Sequence, residues 1–142
     1  MKLKEVIQQI ENGVRRYDNM GAMCDYFKIN DEIGIKVYQF ANRIRFQKSI
    51  NRHLLVLKKF RAAPKIYGSL TIKGSPAIIV EHCKIIRYIK DEYERRLRRT
   101  AIDVLLKIIK QEIPECFNDA SDDHEGNVGI NQAGYPVLID FS

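Results

Sequence analysis

Apolar residues recur at two different spacings along the chain, and the change between these spacings predicts where helices and strands lie. Residues 2–16 carry an apolar side chain at every third or fourth position, which predicts an amphipathic helix. Between residues 23 and 38 the apolar runs shorten around the turn cluster at residues 30–32, so two or three antiparallel strands are expected. Residues 39–61 return to helical spacing, and Pro64 closes this helix.

The next segment has the pattern of a hairpin. Residues 65–70 and 77–80 form two short apolar runs, and the sequence Lys-Gly-Ser-Pro at residues 73–76 supplies the residue types that favour a turn. The first half of the chain is therefore expected to be a small antiparallel sheet with a helix inserted between its strands.

The second half of the chain is expected to be mainly helical. Apolar residues at helical spacing, together with acid-first charge pairs four residues apart, predict helix over residues 85–113. Thr100 is a candidate N-cap that would divide this stretch into two helices, and Pro114 would end the second one. A polar loop and two short apolar runs, at residues 128–130 and 137–139, complete the chain.

Length and composition limit the classes of protein to which the chain can belong. The 142 residues fit one compact domain or two small lobes, and 45% apolar with 30% charged residues is typical of a folded globular protein. Because no apolar run reaches the roughly 18 to 20 residues of a membrane span, we expect a cytoplasmic protein without a membrane partner. The three cysteines include no CxxC pair, so neither a disulfide framework nor a zinc site is indicated.

Positive charge is concentrated in one part of the chain. The segment from Ile33 to Val80 contains ten Lys and Arg residues and no Asp or Glu, within a net charge of +6. Such an asymmetry is compatible with a solvated basic face or with an anionic partner, nucleic acid among them, bound along the basic helix at residues 43–61.

The most informative polar pattern lies at the end of the sequence. Asp122 precedes Asn127 by five residues, and Asp140, at the end of an apolar run, follows Asn127 by thirteen. Two strands joined by a tight turn would bring Asn127 and Asp140 together in an arrangement that suits Mg²⁺, which prefers oxygen ligands. The alternatives are a capping turn before a hairpin and, less favoured because the residues are contiguous, a transition-metal cluster around His124.

These residues resemble a known family. The sequences DDHEGNVGI and GYPVLIDFS look like the catalytic and metal-binding loops of the protein kinase-like superfamily, and are most similar to the D-x-H-x-x-N form of the aminoglycoside and choline kinase branch. The resemblance implies that Asp122 is the catalytic base or the acid that orients the acceptor hydroxyl. It also implies that Asn127 and Asp140 hold the metal that bridges the phosphates of ATP.

The first half of the chain offers further elements of this resemblance. The segment IGIKVY is similar to the strand that carries the phosphate-binding lysine, which would make Lys36 a nucleotide-binding residue rather than an outward-pointing strand lysine. Residues 77–83 resemble the last strand of the N-lobe entering the hinge, so the resemblance implies that the backbone groups of Glu81 and Cys83 contact adenine. The nearest polar candidates to orient Lys36 are Gln47 and Asn51, since residues 33–80 contain no acid.

The hydrophobic pattern thus predicts an α+β protein, and the resemblance implies that its fold is a reduced, two-lobed kinase-like one. Residues 1–82 would form an N-lobe, and residues 83–142 a truncated helical C-lobe. The expected function is that of an ATP- and Mg²⁺-dependent phosphotransferase acting on a hydroxyl of a protein or a small molecule. The alternative is a weak or inactive pseudokinase that serves as a nucleotide-binding or interaction module.

Overall fold

The computed structural model describes residues 3–13, 19–20, 24–38, 43–114 and 127–141. Within these ranges the chain forms three α-helices and two antiparallel sheets, which confirms the expected α+β class. The helices are α1 (Leu3–Glu11), α2 (Arg43–Phe60) and α3 (Glu92–Glu112). The strands are β1 (Asn19–Met20), β2 (Cys24–Lys28), β3 (Ile33–Tyr38), β4 (Ile66–Ile72), β5 (Ser75–Glu81), β6 (Lys84–Ile85), β7 (Val128–Ile130) and β8 (Pro136–Leu138).

The chain divides into two compact units. The first comprises residues 1–47 and 65–82, and the second comprises residues 48–64 and 83–142, so that helix α2 contributes its beginning to one unit and its remainder to the other. No described helix is both long and apolar enough to cross a membrane.

The first unit is built on a five-stranded antiparallel sheet in the order β1-β2-β3-β5-β4. Helix α2 lies in sequence between β3 and β4, as the hydrophobic pattern predicts. The amphipathic helix α1 buries Val6 and Ile10 in the core of this unit against Phe27, Ile35 and Ile72. Because side chains alternate along a strand, the burial of Ile35 on this face places Lys36 on the opposite face of the sheet.

The second unit combines helix α3 with a three-stranded sheet in the order β6-β7-β8. The buried face of α3 contributes Ile102, Leu106 and Ile109 to a core that also contains Leu138 and Phe141. The segment after α2 is tied to the sheet because the amide of Leu138 donates to the carbonyl of Ala62 at 2.7 Å.

The beginning of α3 differs from the sequence prediction. Residues 84–85 form strand β6, residues 86–88 form a short 3₁₀ turn, and the helix begins only at Glu92, where the Asp91 side chain caps it by accepting from the Glu94 amide at 3.0 Å. The helix then continues through Thr100, whose hydroxyl donates to the Arg96 carbonyl at 3.0 Å. The predicted division into two helices at Thr100 is therefore wrong, because its hydroxyl is satisfied inside the helix instead of capping a new one.

Candidate functional site

Asn127 and Asp140, at the end of the sheet of the second unit, are joined by a pair of hydrogen bonds. Val128 lies opposite Leu138 in the β7–β8 pair, and the next backbone bond runs from the Ile139 amide to the Asn127 carbonyl at 2.8 Å. Beyond it, Oδ1 of Asn127 accepts from the Asp140 amide at 2.6 Å, and Nδ2 of Asn127 donates to the Asp140 carbonyl at 3.1 Å. The carboxamide thus takes the place of one more peptide group and fixes the backbone of Asp140. We call this arrangement the Asn127 clamp.

The residue after Asp140 is anchored as well. Phe141 is buried, and its carbonyl accepts a hydrogen bond from the hydroxyl of Ser49 on helix α2. The ring of His53, one helical turn further along α2, lies 4.9 Å from the Phe141 ring, and Nε2 of His53 donates to the Pro64 carbonyl at 2.6 Å. Asp140 therefore sits between two fixed points, the Asn127 clamp on one side and Phe141 on the other.

A glycine permits the close packing of this sheet. A Cβ atom on Gly129 would lie 2.5 Å from the backbone carbonyl oxygen of Lys84 on β6, a separation that real Cβ atoms essentially never show. Gly129 pairs with Ile85 on β6 and with Val137 on β8, so it is the central residue of the three-stranded sheet. Strand β8, at one edge of this sheet, leads to Asp140. Any side chain at this position would force the two strands apart.

The chemistry available at this site is that of oxygen donors. The Asp140 side chain is half-buried and offers carboxylate oxygens. Asn127 is 4% exposed, and its Oδ1, an amide oxygen with two lone pairs, accepts from the Asp140 amide. Both donors are of the type that Mg²⁺ prefers, and that cation is commonly held by one or two such groups together with phosphate oxygens. The pair of residues therefore fits the metal implied by the resemblance. Among the described residues no group of three or more His, Cys, Asp or Glu side chains gathers into a richer metal site.

The first unit contains a buried lysine. Lys36 is 3% exposed and lies in register between Tyr26 on β2 and Ile78 on β5. The ring of Phe46, near the start of α2, contacts the Tyr38 ring edge-on at 4.9 Å, so the start of α2 covers the same face of the sheet as Lys36. A buried ammonium group of this kind is suited to neutralising phosphate oxygens.

A second polar pair lies on the sheet of the first unit. The hydroxyl of Tyr26 is 2.5 Å from Nδ1 of His82, and the two rings stack with centroids 5.7 Å apart. The Tyr26 ring lies directly over Gly34, since a Cβ atom on Gly34 would be 2.0 Å from the tyrosine oxygen. The glycine before the lysine in IGIKVY therefore makes room for an aromatic side chain, a role that the motif alone does not indicate.

Glu81 and Cys83, the residues expected at the hinge, are both buried in the structure. The Glu81 side chain is 4% exposed and accepts from the Lys65 amide at 3.1 Å, while the Glu81 amide donates to the Lys65 carbonyl at 2.8 Å. Glu81 therefore closes the open end of the β4–β5 hairpin. Cys83 is buried.

A cavity of about 440 Å³ lies in the first unit between the start of α2 and the β4–β5 hairpin. Gln47, which the sequence offered as a partner for Lys36, lines this cavity. The other residues that line it are Phe46, Ser69, Leu70, Thr71, Gly74 and Pro76.

The structure brings two of the predicted site residues together and leaves others outside its described part. Asn127 and Asp140 are in contact, as the hairpin pattern predicts. Asp122 and His124 fall outside the described residues. Ser49 and His53 were not identified from the sequence as supports of Phe141. These residues lie far from Phe141 along the sequence, and a serine or a histidine on a helix does not indicate its partner. The chain matches no protein-family model and no curated protein.

Proposed function

We propose that the chain is an ATP- and Mg²⁺-dependent phosphotransferase of the kinase-like type that transfers the γ-phosphoryl group to a hydroxyl. The Asn127 clamp carries this proposal. It holds a half-buried acid at the end of a buried strand, with the backbone of that acid fixed by a neighbouring carboxamide, and a metal-binding acid requires such fixed placement.

Each proposed site residue has a distinct role. The Asp140 carboxylate and Oδ1 of Asn127 would hold Mg²⁺, and the bound cation would neutralise charge on the transferred phosphoryl group. Lys36 would bind phosphate oxygens through its ammonium group, and Asp122 would orient the acceptor hydroxyl. Phosphoryl transfer depends mainly on such positioning and neutralisation, so this small set of groups is sufficient in principle.

Features of the first unit support the same proposal. The strand order β1-β2-β3-β5-β4, with a helix inserted between β3 and β4, is the small sheet that the resemblance implies for an N-lobe. Within it, Lys36 occupies a buried position on the central strand β3, which is the place in the sheet that the resemblance implies for the phosphate-binding lysine. Glu81 ends β5, which is the strand expected to enter the hinge.

The test of catalysis is an assay with labelled ATP on four proteins: wild type, Asp122→Asn, Asp140→Asn and the control Asp31→Asn. Asp31 is an exposed acid in the β2–β3 turn that pairs with Lys28, so its loss controls for the removal of one negative charge. We expect transfer by wild type and Asp31→Asn and its loss in the other two variants. Equal transfer by all four proteins would refute the assignment of this site. An inert wild type that still binds nucleotide would identify a pseudokinase.

A second candidate function rests on the basic face of α2. Four basic residues, Arg45, Lys48, Arg52 and Lys59, lie within about 60° of arc and extend over roughly 21 Å of the helix. Helix α2 contains no Asp or Glu, and Arg45, Lys48 and Lys59 are exposed. A linear row of positive charge fits the backbone of a nucleic acid, for which binding would weaken steeply with salt.

This second candidate is tested by fluorescence anisotropy with a labelled single-stranded oligonucleotide at several salt concentrations. The variant Arg52→Gln with Lys59→Gln should bind more weakly. The slope of the logarithm of its binding constant against the logarithm of salt concentration should be shallower by about 1.4, because each phosphate contact contributes roughly 0.7 on a single strand. The control, Arg87→Gln with Lys90→Gln, removes two exposed charges that are not on α2. Equal losses in both double variants would show a general effect of net charge and exclude a specific basic face.

A further inference from the structure

Helix α3 is apolar on two sides, and only one of them is buried within the chain. Ile102, Leu106 and Ile109 face the core of the second unit. A second apolar row runs along the exposed side, where Tyr93 is 74%, Leu97 54%, Val104 58% and Ile108 44% exposed, with the exposed Ala101 between them. We call these five residues the outer stripe of α3.

The spacing of the outer stripe is that of a helix-pairing surface. Leu97, Ala101, Val104 and Ile108 follow one another at intervals of four, three and four residues, which is the a/d repeat of a two-stranded coiled coil. The whole stripe spans about 22 Å of helix and occupies roughly 80° of arc. Scattered exposed apolar residues are ordinary, whereas a continuous row of this length marks an interaction surface.

Charges at the edges of the stripe favour one occupant and one orientation. In a parallel, in-register pair of α3 helices, each residue on one edge of the stripe (position g) meets the residue five positions further along on the other edge (position e) of the partner. Lys107 would then meet Glu112 of the partner subunit, and Tyr93 would meet Arg98 of the partner subunit as a cation–π pair. In an antiparallel pair, the residues that meet would be Arg98 with Leu105 and Thr100 with Lys107, neither of which is an ion pair.

We propose that the outer stripe is a self-association surface, on which a second copy of the chain docks its own α3 in parallel and in register. The core of this interface would consist of Leu97, Ala101, Val104 and Ile108, each facing its own counterpart, and the small side chain of Ala101 would allow the two helices to approach closely. This proposal is independent of the phosphotransferase function, because it uses no residue of the Asn127 clamp.

The neighbouring hairpin extends the apolar surface. Nη1 of Arg98 donates to the Gly134 carbonyl at 3.3 Å, so the β7–β8 turn lies beside the Arg98 edge of the stripe. Tyr135 in that turn is 65% exposed. Two heptads and one tyrosine still form a small interface compared with the roughly 1,200 Å² of a stable complex, so we expect a weak dimer that dissociates on dilution.

The test is sedimentation of the whole chain over a concentration series that reaches about 1 mM, the range in which an interaction of only ~4 kcal/mol is still populated. Wild type should shift from monomer to dimer. Val104→Glu should weaken the association by at least about a hundredfold, because it places two carboxylates in the interface. The control Ile44→Glu changes another exposed, β-branched helical residue, on α2, and should associate like wild type. Monomeric wild type, or equal association of both variants, would overturn the proposal.

Two further variants test the orientation. Lys107→Glu should weaken the dimer severalfold, and adding Glu112→Lys should restore it, since the exchanged charges again attract in the parallel register. Ala101→Cys should form an intermolecular disulfide under mild oxidation, because a parallel pair places the two copies of residue 101 side by side. Failure of the charge exchange to restore association, or a lack of cross-linking beyond that of wild type, would contradict the parallel arrangement.

Discussion

The two sheets of the molecule hold their polar residues in different ways. In the three-stranded sheet, Asp140 is positioned through its backbone, which is hydrogen-bonded to the Asn127 side chain on one side and followed by the anchored Phe141 on the other. In the five-stranded sheet, Lys36 lies in the middle of β3, in register between Tyr26 on β2 and Ile78 on β5. The short side chain of Asp140 thus follows the end of a strand whose backbone is fixed, whereas the long side chain of Lys36 extends from the middle of a strand.

This difference has a physical reason. A carboxylate on a single methylene reaches only as far as its backbone is placed, so its strand end needs direct hydrogen bonds. A lysine has four methylenes and adjusts its own reach, so the position of its ammonium group depends less closely on where its backbone lies. Changes at the backbone of the smaller sheet should therefore cost more than comparable changes in the larger one.

The largest effect is expected from Gly129→Ala. The new Cβ atom would lie 2.5 Å from the Lys84 carbonyl oxygen, which belongs to the backbone of β6 and moves only if the sheet opens. We expect a loss of roughly 3 kcal/mol in the free energy of unfolding. Urea denaturation monitored by circular dichroism measures it, and a stability within about 0.5 kcal/mol of wild type would contradict the packing described for this sheet.

A somewhat smaller effect is expected from Asn127→Asp. The carboxylate retains an acceptor for the Asp140 amide but places an oxygen against the Asp140 carbonyl, where Nδ2 of Asn127 donates in wild type. The unfolding free energy should fall by about 2 kcal/mol, since a buried acceptor loses its donor. Asn131→Asp in the β7–β8 turn is the control, because its Oδ1 accepts from the Tyr135 amide and a carboxylate keeps that role. Equal losses of unfolding free energy in both variants would show that the Asn127 clamp contributes no more to stability than the side chain of Asn131 does.

Gly34→Ala probes the larger sheet. Its Cβ atom would overlap the Tyr26 ring, but that ring is a side chain and can rotate away at the cost of its hydrogen bond to His82. We expect a loss of about 1 to 2 kcal/mol, which is smaller than for Gly129→Ala. In a protein that already carries Tyr26→Ala the ring that blocks the new Cβ atom is absent, so Gly34→Ala should then lower the unfolding free energy only slightly. A larger loss than that of Gly129→Ala would reverse the proposed ranking of the two sheets.

The smallest effect concerns the β2–β3 turn. A hydrogen bond from Lys28, and its positive charge, lower the pKa of the Asp31 carboxyl below its ordinary value. Because the folded-state pKa is depressed, this contribution to stability is present above the ordinary carboxyl pKa and is lost as the pH falls through the folded value. Lys28→Met should raise the pKa of Asp31 in an NMR titration, and an unchanged pKa would show that the pair is not formed in solution.

The sequence predicts the contact between Asn127 and Asp140 because all of its determinants are local. A short apolar run, a turn and a second apolar run define a hairpin, and a hairpin brings the residues at its open end together. The supports from Ser49 and His53 could not be predicted in this way. Ser49 and Phe141 are 92 residues apart, and neither a serine nor a histidine on an amphipathic helix indicates its partner.

The start of α3 shows where periodicity misleads. The apolar residues from Ile85 onward have helical spacing, yet Lys84 and Ile85 form a strand, because they pair with β7. The combination of Asp91 with Glu94 marked the true N-terminus, since an acid at the N-cap followed three residues later by Glu is a capping signature. The capping signature would therefore have located the start of α3 better than the hydrophobic pattern did.

The most direct test of the phosphotransferase proposal is calorimetric titration of ATP into the folded chain with and without Mg²⁺, for wild type, Asp140→Asn and Asp31→Asn. We predict Mg²⁺-dependent binding by wild type and Asp31→Asn, with affinity reduced at least roughly tenfold in Asp140→Asn. An absence of binding by wild type at about millimolar ATP, or an Asp140→Asn variant that binds ATP and Mg²⁺ as tightly as wild type, would contradict the proposal that Asp140 is a metal-binding acid.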